Sequence, residues 1–188
     1  MLITELFEPK SLGELDPKLN VKVVRSDDRM WTWQFEVPDY KEDPTPFCLR
    51  AADLHKSYYM SEQLEKCWFV NMIQAECSFP IGADPETLIR MGSLGNMGRE
   101  SVTVFSTAGS LLNDFAAQTQ AKGMVFNSVV GREKLYTTFA AVIKRKTGWI
   151  YASATGSFPM PQIFYFFAKD KKVLSTMMKN FRDIGQID

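Results

Sequence analysis

Two segments of this sequence carry residues whose type and spacing could do chemistry. Tyr136 lies in a stretch with helical periodicity and carries a phenol hydroxyl. Ser106-Thr107-Ala108-Gly109 lies where we expect a strand to pass into a helix, and backbone N–H groups at a helix start bind phosphate. The segment has one glycine and no basic residue. We therefore interpret it as a helix start capped by Ser106 or Thr107.

Packing offers a second interpretation of Tyr136. The residue shares one face of its helix with Leu135, Phe139 and Ile143. A core position, in which the hydroxyl finds a hydrogen-bond partner, is therefore favoured over catalysis. Catalysis by Tyr136 stays open as the alternative.

Three glycines form a regular spacing further upstream. Gly92, Gly95 and Gly98 read Gly-x-x-Gly-x-x-Gly, which is neither the dinucleotide fingerprint nor a Walker loop. They precede an expected strand instead of following one. We interpret them as a flexible loop or a hairpin turn.

The remaining reactive residue types predict no metal site. Cys48, Cys67 and Cys77 have no metal-ligand spacing, and we expect free buried thiols, as in a reducing cytosol. His55 is the only histidine, so a His-rich metal site cannot form, and we expect its side chain to be solvated or packed.

Length and composition indicate one domain over residues 1–188. The chain is 45% hydrophobic and 13% aromatic, which supports a sizeable core, and its net charge is zero. Balanced charge argues against sequence-independent binding to nucleic acid, although a local basic patch stays possible. No run of about 18 apolar residues occurs, so we expect no membrane insertion and an intracellular location.

The first part of the chain predicts antiparallel structure. We divide it into an N-terminal packing segment, 1–20, and an antiparallel part, 21–101. Within the antiparallel part, Trp31 and Trp33 alternate with polar residues in the clearest hairpin of the chain, and we expect them to be buried against helices. A long strand follows at 67–79, whereas 49–66 is expected to be mostly irregular.

The second part, 102–188, predicts an α/β arrangement. A strand at Val102–Thr107, a helix that stops at Gly123, a strand at Met124–Val130, a helix that stops at Gly148 and a strand at Tyr151 form a βαβαβ run. A final strand and helix follow. The predicted fold class is α/β (α+β), with a single mixed β-sheet flanked by helices and an antiparallel hairpin first. Two connections, each long enough for a parallel crossover, follow it, with an antiparallel course for the last one as the alternative.

This order resembles the core of the GNAT superfamily of N-acetyltransferases. The segment Asn127–Tyr136 and the pair Gly148-Trp149 resemble the later part of that core. The resemblance implies acetyl-CoA as cofactor, Tyr136 as general acid, and Ser106, Thr107, Ala108 and Gly109 as the residues that meet the diphosphate.

The chain also resembles a group of uncharacterised proteins encoded by tailed bacteriophages. That group has no established activity, and the resemblance implies a location in the host cytoplasm or the virion. The matching segments are Ile3–Phe7, Val104–Thr107, Val125–Ser128, Arg132–Tyr136 and Gly148-Trp149.

Two further sets of residues are candidates for partner binding. Phe158 and Met160 lie in an apolar loop that would be unusual in water. Lys169, Lys171 and Lys172 lie in a basic stretch that could meet other basic residues at one edge of the sheet, although a solvated surface is the favoured interpretation. The other basic residues expected at this edge are Lys134, Lys144, Arg145 and Lys146.

The poor phosphate cradle decides our functional prediction. We expect a phage-encoded, non-catalytic accessory protein without a cofactor, which acts by binding a host factor, a virion component or a second copy of itself. Nucleic acid is not excluded as a partner. The alternative is an acyl-CoA-dependent N-acetyltransferase.

Overall fold

A computed structural model of the protein describes residues 19–37, 45–73, 100–129, 133–157 and 161–188. The strands are β1 (Lys22–Ser26), β2 (Met30–Val37), β3 (Thr45–Asp53), β4 (Cys67–Ile73), β5 (Gly123–Val129), β6 (Ile150–Gly156) and β7 (Gln162–Ala168). The helices are α1 (Leu54–Tyr58), α2 (Glu100–Gln118), α3 (Glu133–Thr147) and α4 (Lys171–Asp183), with a 3₁₀ turn at Glu62–Leu64.

The strands form one mixed sheet of seven, in the order β1-β2-β3-β4-β5-β7-β6. Strands β1 to β4 pair antiparallel in succession, and β4 and β5 pair parallel. Strand β7 lies between β5 and β6 and is antiparallel to both. The predicted fold class, a single mixed sheet flanked by helices, is confirmed.

The hairpin of β1 and β2 forms as the sequence predicts. In its turn, Asp27 Oδ1 accepts hydrogen bonds from the backbone N–H groups of Arg29 and Met30, both at 2.8 Å. Trp33 is 3% exposed and meets the ring of Phe115 in α2 edge-on, with 5.4 Å between ring centroids. The alternating tryptophans therefore pack against a helix, as expected.

Strand β3 is missing from the sequence prediction, which left 49–66 mostly irregular. It pairs with β2 along its whole length and with β4 from Cys48 to Asp53. Its central residues are buried on both faces, and they include Arg50 at 9% exposure. A buried arginine and two alanines hide the alternating pattern of a strand, so periodicity alone did not identify it.

The prediction of a strand at Val102–Thr107 is wrong, because these residues belong to α2. The β-branched run favours a strand locally. However, Val104, Phe105 and Ala108 extend the helical stripe that Leu111 and Phe115 continue, and all of them are buried in one core cluster. Burial of that stripe outweighs the local preference. The first parallel crossover therefore leaves from β4 and reaches β5 through α2.

The second crossover runs from β5 through α3 to β6. Strands β5 and β6 point the same way but do not pair, because β7 occupies the position between them. Helix α3 ends at Thr147, and Gly148 follows with φ +68°, a left-handed conformation that glycine adopts without strain. The predicted stop at Gly148 is confirmed.

Two hydrophobic layers cover the sheet. Helices α2 and α3 cover one face, and we call it the α2/α3 face; its core includes Trp68, Phe126 and Tyr165. Helices α1 and α4 cover the other, the α1/α4 face, with Phe166 and Met177 in its core.

The cysteines differ from the sequence prediction. Cys67 is a free, buried thiol, and burial raises its pKa to about 12. Cys48 is part of a disulfide bond, which contradicts the prediction that all three thiols are free. The described residues hold no group of three or more potential metal ligands and no helix long and apolar enough to cross a membrane.

Candidate functional site

The two parallel strands at the centre of the sheet separate at their carboxyl ends. Pairing between β4 and β5 stops at Val70 and Phe126. Each strand continues for three residues, and each stays paired with its outer neighbour: β4 with β3 as far as Ile73, and β5 with β7 as far as Val129. The segments 71–73 and 127–129 thus continue their strands without pairing with each other, and we call the place where they part the β4–β5 gap.

Such an opening can hold a ligand. In sheets of this kind, ligands bind outside the carboxyl ends of neighbouring parallel strands. Where two strands separate, the backbone N–H and C=O groups on their inner edges can pair with an extended chain placed between them, as in β-strand addition. The β4–β5 gap therefore suits a slender ligand that carries amide groups.

Helix α2 positions aromatic side chains beside this gap. It leads from the carboxyl end of β4 back to the amino end of β5, so it runs antiparallel to both. Near its end, the Phe115 ring lies 4.8 Å from that of Trp68, at the start of β4. Near its beginning, the Phe105 ring lies 5.4 Å from that of Tyr136. The first turns of α2 therefore lie at the same end of the sheet as the gap.

Tyr136, in the first turn of α3, is half-buried on the α2/α3 face. Its ring centroid lies 5.9 Å from that of Phe126, the last β5 residue paired with β4, and 6.1 Å from that of Tyr165. The side chain thus joins the core, as favoured from the sequence, and it does so at the foot of the gap. Its catalytic role stays a prediction.

Three hydroxyl groups on the same face are buried without a hydrogen-bond partner in the described part of the chain. They belong to Thr107 of α2, Ser128 of β5 and Tyr165 of β7. These residues are 0%, 3% and 1% exposed. Most buried polar atoms in folded proteins are hydrogen-bonded, so these three atoms need partners from outside the described residues, such as a ligand, water or another part of the chain.

The opposite face of the gap is also polar. Arg50 of β3 pairs directly with Asn71 of β4, the first residue beyond the last β4–β5 pair. The Asn71 side-chain oxygen is buried and has no hydrogen-bond partner among the described residues. Desolvation lowers the pKa of the Arg50 guanidinium, and desolvation raises the pKa of the nearby Tyr58 hydroxyl, although half of the Tyr58 residue is exposed.

Ser106-Thr107-Ala108-Gly109 lies elsewhere than the sequence predicted. The four residues are inside α2, well past its first turn, and the Ser106 hydroxyl donates to the carbonyl oxygen of Thr103 at 3.1 Å. The prediction that Ser106 or Thr107 caps a helix start is therefore wrong. Backbone N–H groups within a helix are used by its own ladder, so these four are not free to bind phosphate.

The start of α2 changes the interpretation of the upstream glycines. Gly92, Gly95 and Gly98 lie outside the described residues, but Gly98 comes two positions before Glu100, where α2 begins. The glycines therefore precede a helix, and the expected strand that argued against phosphate binding does not exist.

The other candidate residues are dispersed. Phe158 and Met160 lie outside the described residues. Lys169, Lys171 and Lys172 are exposed at the amino end of β5, opposite the gap. Sequence reasoning missed Ser128 and Tyr165, and the available signal was a polar group within an otherwise apolar strand.

Comparison with known proteins gives only distant matches. No protein-family model matches the chain, and no curated protein matches it at a significant level. Among solved structures, a point mutant of spermidine N-acetyltransferase SpeG from Vibrio cholerae matches 80% of this chain and 72% of that chain, with 10% identity and a TM-score of 0.41. A chimera of the same enzyme with hSSAT matches 79% and 71%, with 10% identity and a TM-score of 0.40.

A structure described as a probable acetyltransferase matches 75% of this chain and 62% of that chain, with 9% identity and a TM-score of 0.39. Such distant likeness transfers no substrate and no residue role. The matched proteins are nevertheless all named as acetyltransferases. They contradict the prediction of a non-catalytic protein without a cofactor and agree better with its alternative, an acyl-CoA-dependent N-acetyltransferase.

Proposed function

We propose that the protein is an acyl-CoA-dependent N-acetyltransferase whose cofactor chain lies in the β4–β5 gap. The observation that carries the proposal is the separation of β4 and β5 after Val70 and Phe126, while each strand stays paired with its outer neighbour. The arm of coenzyme A is a slender chain with two amide groups. It matches two strand edges whose backbone groups beyond Val70 and Phe126 do not pair with each other.

The residues around the gap are compatible with this cofactor in part. The buried hydroxyls of Thr107, Ser128 and Tyr165 need hydrogen-bond partners, which a polar acyl-CoA chain or an amine substrate would supply. The diphosphate would need N–H groups that a helix leaves open, and in the first turn of α2 the N–H groups of Glu100 to Val102 have no acceptor within the helix itself. Glycines directly upstream of that turn support the same placement.

Acetyl-CoA supplies an acyl group that is already activated as a thioester. The chain itself must bind the acceptor amine, exclude water and move protons. We propose that the Tyr136 hydroxyl holds the proton that the departing thiolate takes up, the role of a general acid. Its ring is held by Phe105, Phe126 and Tyr165, so the hydroxyl has a defined position at the foot of the gap.

The first test is ligand-induced stabilisation. Acetyl-CoA at about a hundred times its dissociation constant should stabilise the fold by about 2.7 kcal/mol, which for a protein of this size raises Tm by roughly 5–10 °C. Free coenzyme A should act similarly, whereas ADP, which lacks the amide-bearing arm, should give a much smaller shift. If ADP raised Tm as much as acetyl-CoA does, the ligand would bind outside the gap. If acetyl-CoA did not raise Tm, the proposal would be wrong.

The second test separates binding from chemistry at Tyr136. Tyr136→Phe keeps the ring and removes the hydroxyl, so the shift caused by acetyl-CoA should be retained while turnover falls by about 10²–10⁴-fold. Tyr151→Phe is the matched control, because Tyr151 of β6 is also half-buried beside Tyr165. If Tyr136→Phe turns over as fast as the unchanged protein, Tyr136 is not the general acid and only packs in the core.

An enzyme that draws on acetyl-CoA would act where that metabolite is made. From the resemblance to the tailed-phage group, we therefore propose the host cytoplasm over the virion. Mass spectrometry of infected-cell lysate and of purified particles tests this, and enrichment in the particles would contradict it.

A further inference from the structure

We propose that the end of the sheet opposite the gap is a binding surface for the phosphate backbone of nucleic acid. Six lysines form this basal lysine surface. They are Lys66, Lys122, Lys144, Lys169, Lys171 and Lys172.

Three of these lysines lie side by side across neighbouring strands. Lys66 directly precedes β4, Lys122 directly precedes β5, and Lys169 directly follows β7. Backbone hydrogen bonds join them in a row: the Lys122 N–H donates to the Lys66 carbonyl oxygen at 2.8 Å, and the Lys169 N–H donates to the Lys122 carbonyl oxygen at 3.0 Å. Neighbouring strands are about 4.8 Å apart, so the row spans about 10 Å.

The other three lysines flank the row. Lys144 lies in the last turn of α3, and the Gly148 N–H donates to its carbonyl oxygen at 3.0 Å, just before β6 begins at the same end of the sheet. Lys171 and Lys172 open α4, two and three residues after Lys169. All three side chains are exposed.

Within the described ranges, no carboxylate forms an ion pair with these lysines. The ion pairs Arg25–Asp27 and Lys56–Asp28 involve none of the six. The closest approach is neutral: Lys66 Nζ lies 3.5 Å from the side-chain oxygen of Gln120.

Nearby acids and helix ends do not cancel the charge. Four acids lie near the row. Glu62 and Glu65 precede Lys66, the Asp53 carboxylate accepts from the Lys66 N–H at 2.9 Å, and Asp170, between Lys169 and Lys171, accepts from the Val173 N–H at 2.9 Å. Helices α2 and α3 end here, and each carboxyl end carries roughly half a negative elementary charge. Six lysines therefore leave an excess of positive charge, although the whole chain is neutral.

The described part of this surface lacks the apolar anchors that a protein partner or a membrane would need. Trp149, whose ring lies 5.9 Å from Lys169 Nζ, is only 7% exposed. The exposed large apolar side chains of the described residues belong to other segments: Val23, Val24, Tyr58, Tyr59 and Ile184. Protein interfaces depend on buried aromatic anchors, and interfacial membrane binding depends on inserted apolar residues. A row of unpaired lysines alone is typical of phosphate-backbone contact.

Salt-dependent binding to duplex DNA tests the proposal. A labelled duplex of about 20 base pairs, titrated with the full chain at several salt concentrations and followed by fluorescence anisotropy, should give a plot of log K against log salt with a slope of about −3 if three lysines contact phosphates. Lys122→Gln should reduce the slope by about one and the affinity about eightfold at about 0.1 M salt.

Lys179→Gln is the matched control, because Lys179 is exposed on α4 but two turns away from the row. It should bind as tightly as the unchanged chain, and melting curves confirm that both variants are folded. Three outcomes overturn the proposal: binding that does not depend on salt, an equal loss with Lys179→Gln, or equally tight binding of polyglutamate, which would indicate an acidic protein partner.

Discussion

Replacing Tyr165 by phenylalanine is expected to make the free protein more stable. The side chain is 1% exposed, and its hydroxyl has no hydrogen-bond partner in the described part of the chain. Burying a hydroxyl without a partner costs about 1–3 kcal/mol. Phenylalanine keeps the ring, which stacks with Phe126 at 5.2 Å and Tyr151 at 6.3 Å between centroids, so the apolar contacts are retained.

The free energy of unfolding should therefore rise by about 1–3 kcal/mol, and Tm by roughly 2–10 °C. Urea unfolding followed by tryptophan fluorescence measures this, and an unchanged m-value shows that both forms unfold alike. Tyr151→Phe, at a half-buried position, should stay within about 0.5 kcal/mol of the unchanged protein.

The stabilisation that a bound ligand provides should be smaller in the Tyr165→Phe variant. If the Tyr165 hydroxyl meets a ligand, acetyl-CoA should stabilise Tyr165→Phe less than it stabilises the unchanged protein, which is the exchange of stability for function seen at many binding sites. A loss of 1 kcal/mol or more in the free variant would show that the hydroxyl is already satisfied. It would also refute the argument from buried polar atoms.

Two further predictions test the packing, and a third tests the buried thiol of Cys67. Phe115→Ala removes a ring whose centroid lies 4.8–5.5 Å from those of three tryptophans. The free energy of unfolding, measured in urea, should therefore fall by about 3–5 kcal/mol. A fall of less than about 1 kcal/mol would contradict the packing. Gly123→Ala would place a Cβ atom 2.5 Å from Met177 Sδ and 2.9 Å from the Phe167 backbone oxygen, and should cost about 1–3 kcal/mol. Adding Met177→Ala should relieve only the side-chain part of that clash, which a double-mutant cycle measures. Because burial raises the pKa of Cys67 to about 12, its alkylation by iodoacetamide near about pH 8.5 should be slower than in the unfolded chain by on the order of a thousandfold. Above the ordinary thiol pKa the unfolded chain releases a proton that the folded chain retains, so this group lowers stability as pH rises, and Cys67→Ala should remove that dependence.

Local pattern was sufficient where an element is stabilised by its own residues. The turn between β1 and β2 depends on Asp27, whose side chain binds two backbone N–H groups within three residues. The end of α3 depends on Gly148, which adopts a positive φ. Helix α4 combines a cap, Asp170, with an apolar stripe that includes Met177 and Phe181. Each signal lies within a few residues, so the sequence alone predicts the element.

Pattern failed where distant residues decide the conformation. Val104 favours a strand locally, but it lies in α2 because its helical stripe is buried against the sheet and α3. Arg50 hides β3, because a charged residue at a buried strand position breaks the expected alternation. The first of these two errors had the larger effect on the predicted site. Because α2 begins at Glu100, Ser106 to Gly109 lie inside the helix and cannot form the phosphate site considered from the sequence.

The sequence by itself determined the set of elements after Gly123, the mixed sheet, and the burial of the hairpin tryptophans, because periodicity, caps and turns are local. Only the tertiary structure decided that β7 lies between β5 and β6 and that β4 and β5 part after Val70 and Phe126. The length over which two strands pair depends on what packs above and below them, and no short stretch of sequence records it. For that reason the gap, and the buried hydroxyls of Ser128 and Tyr165 beside it, became visible only in the folded chain.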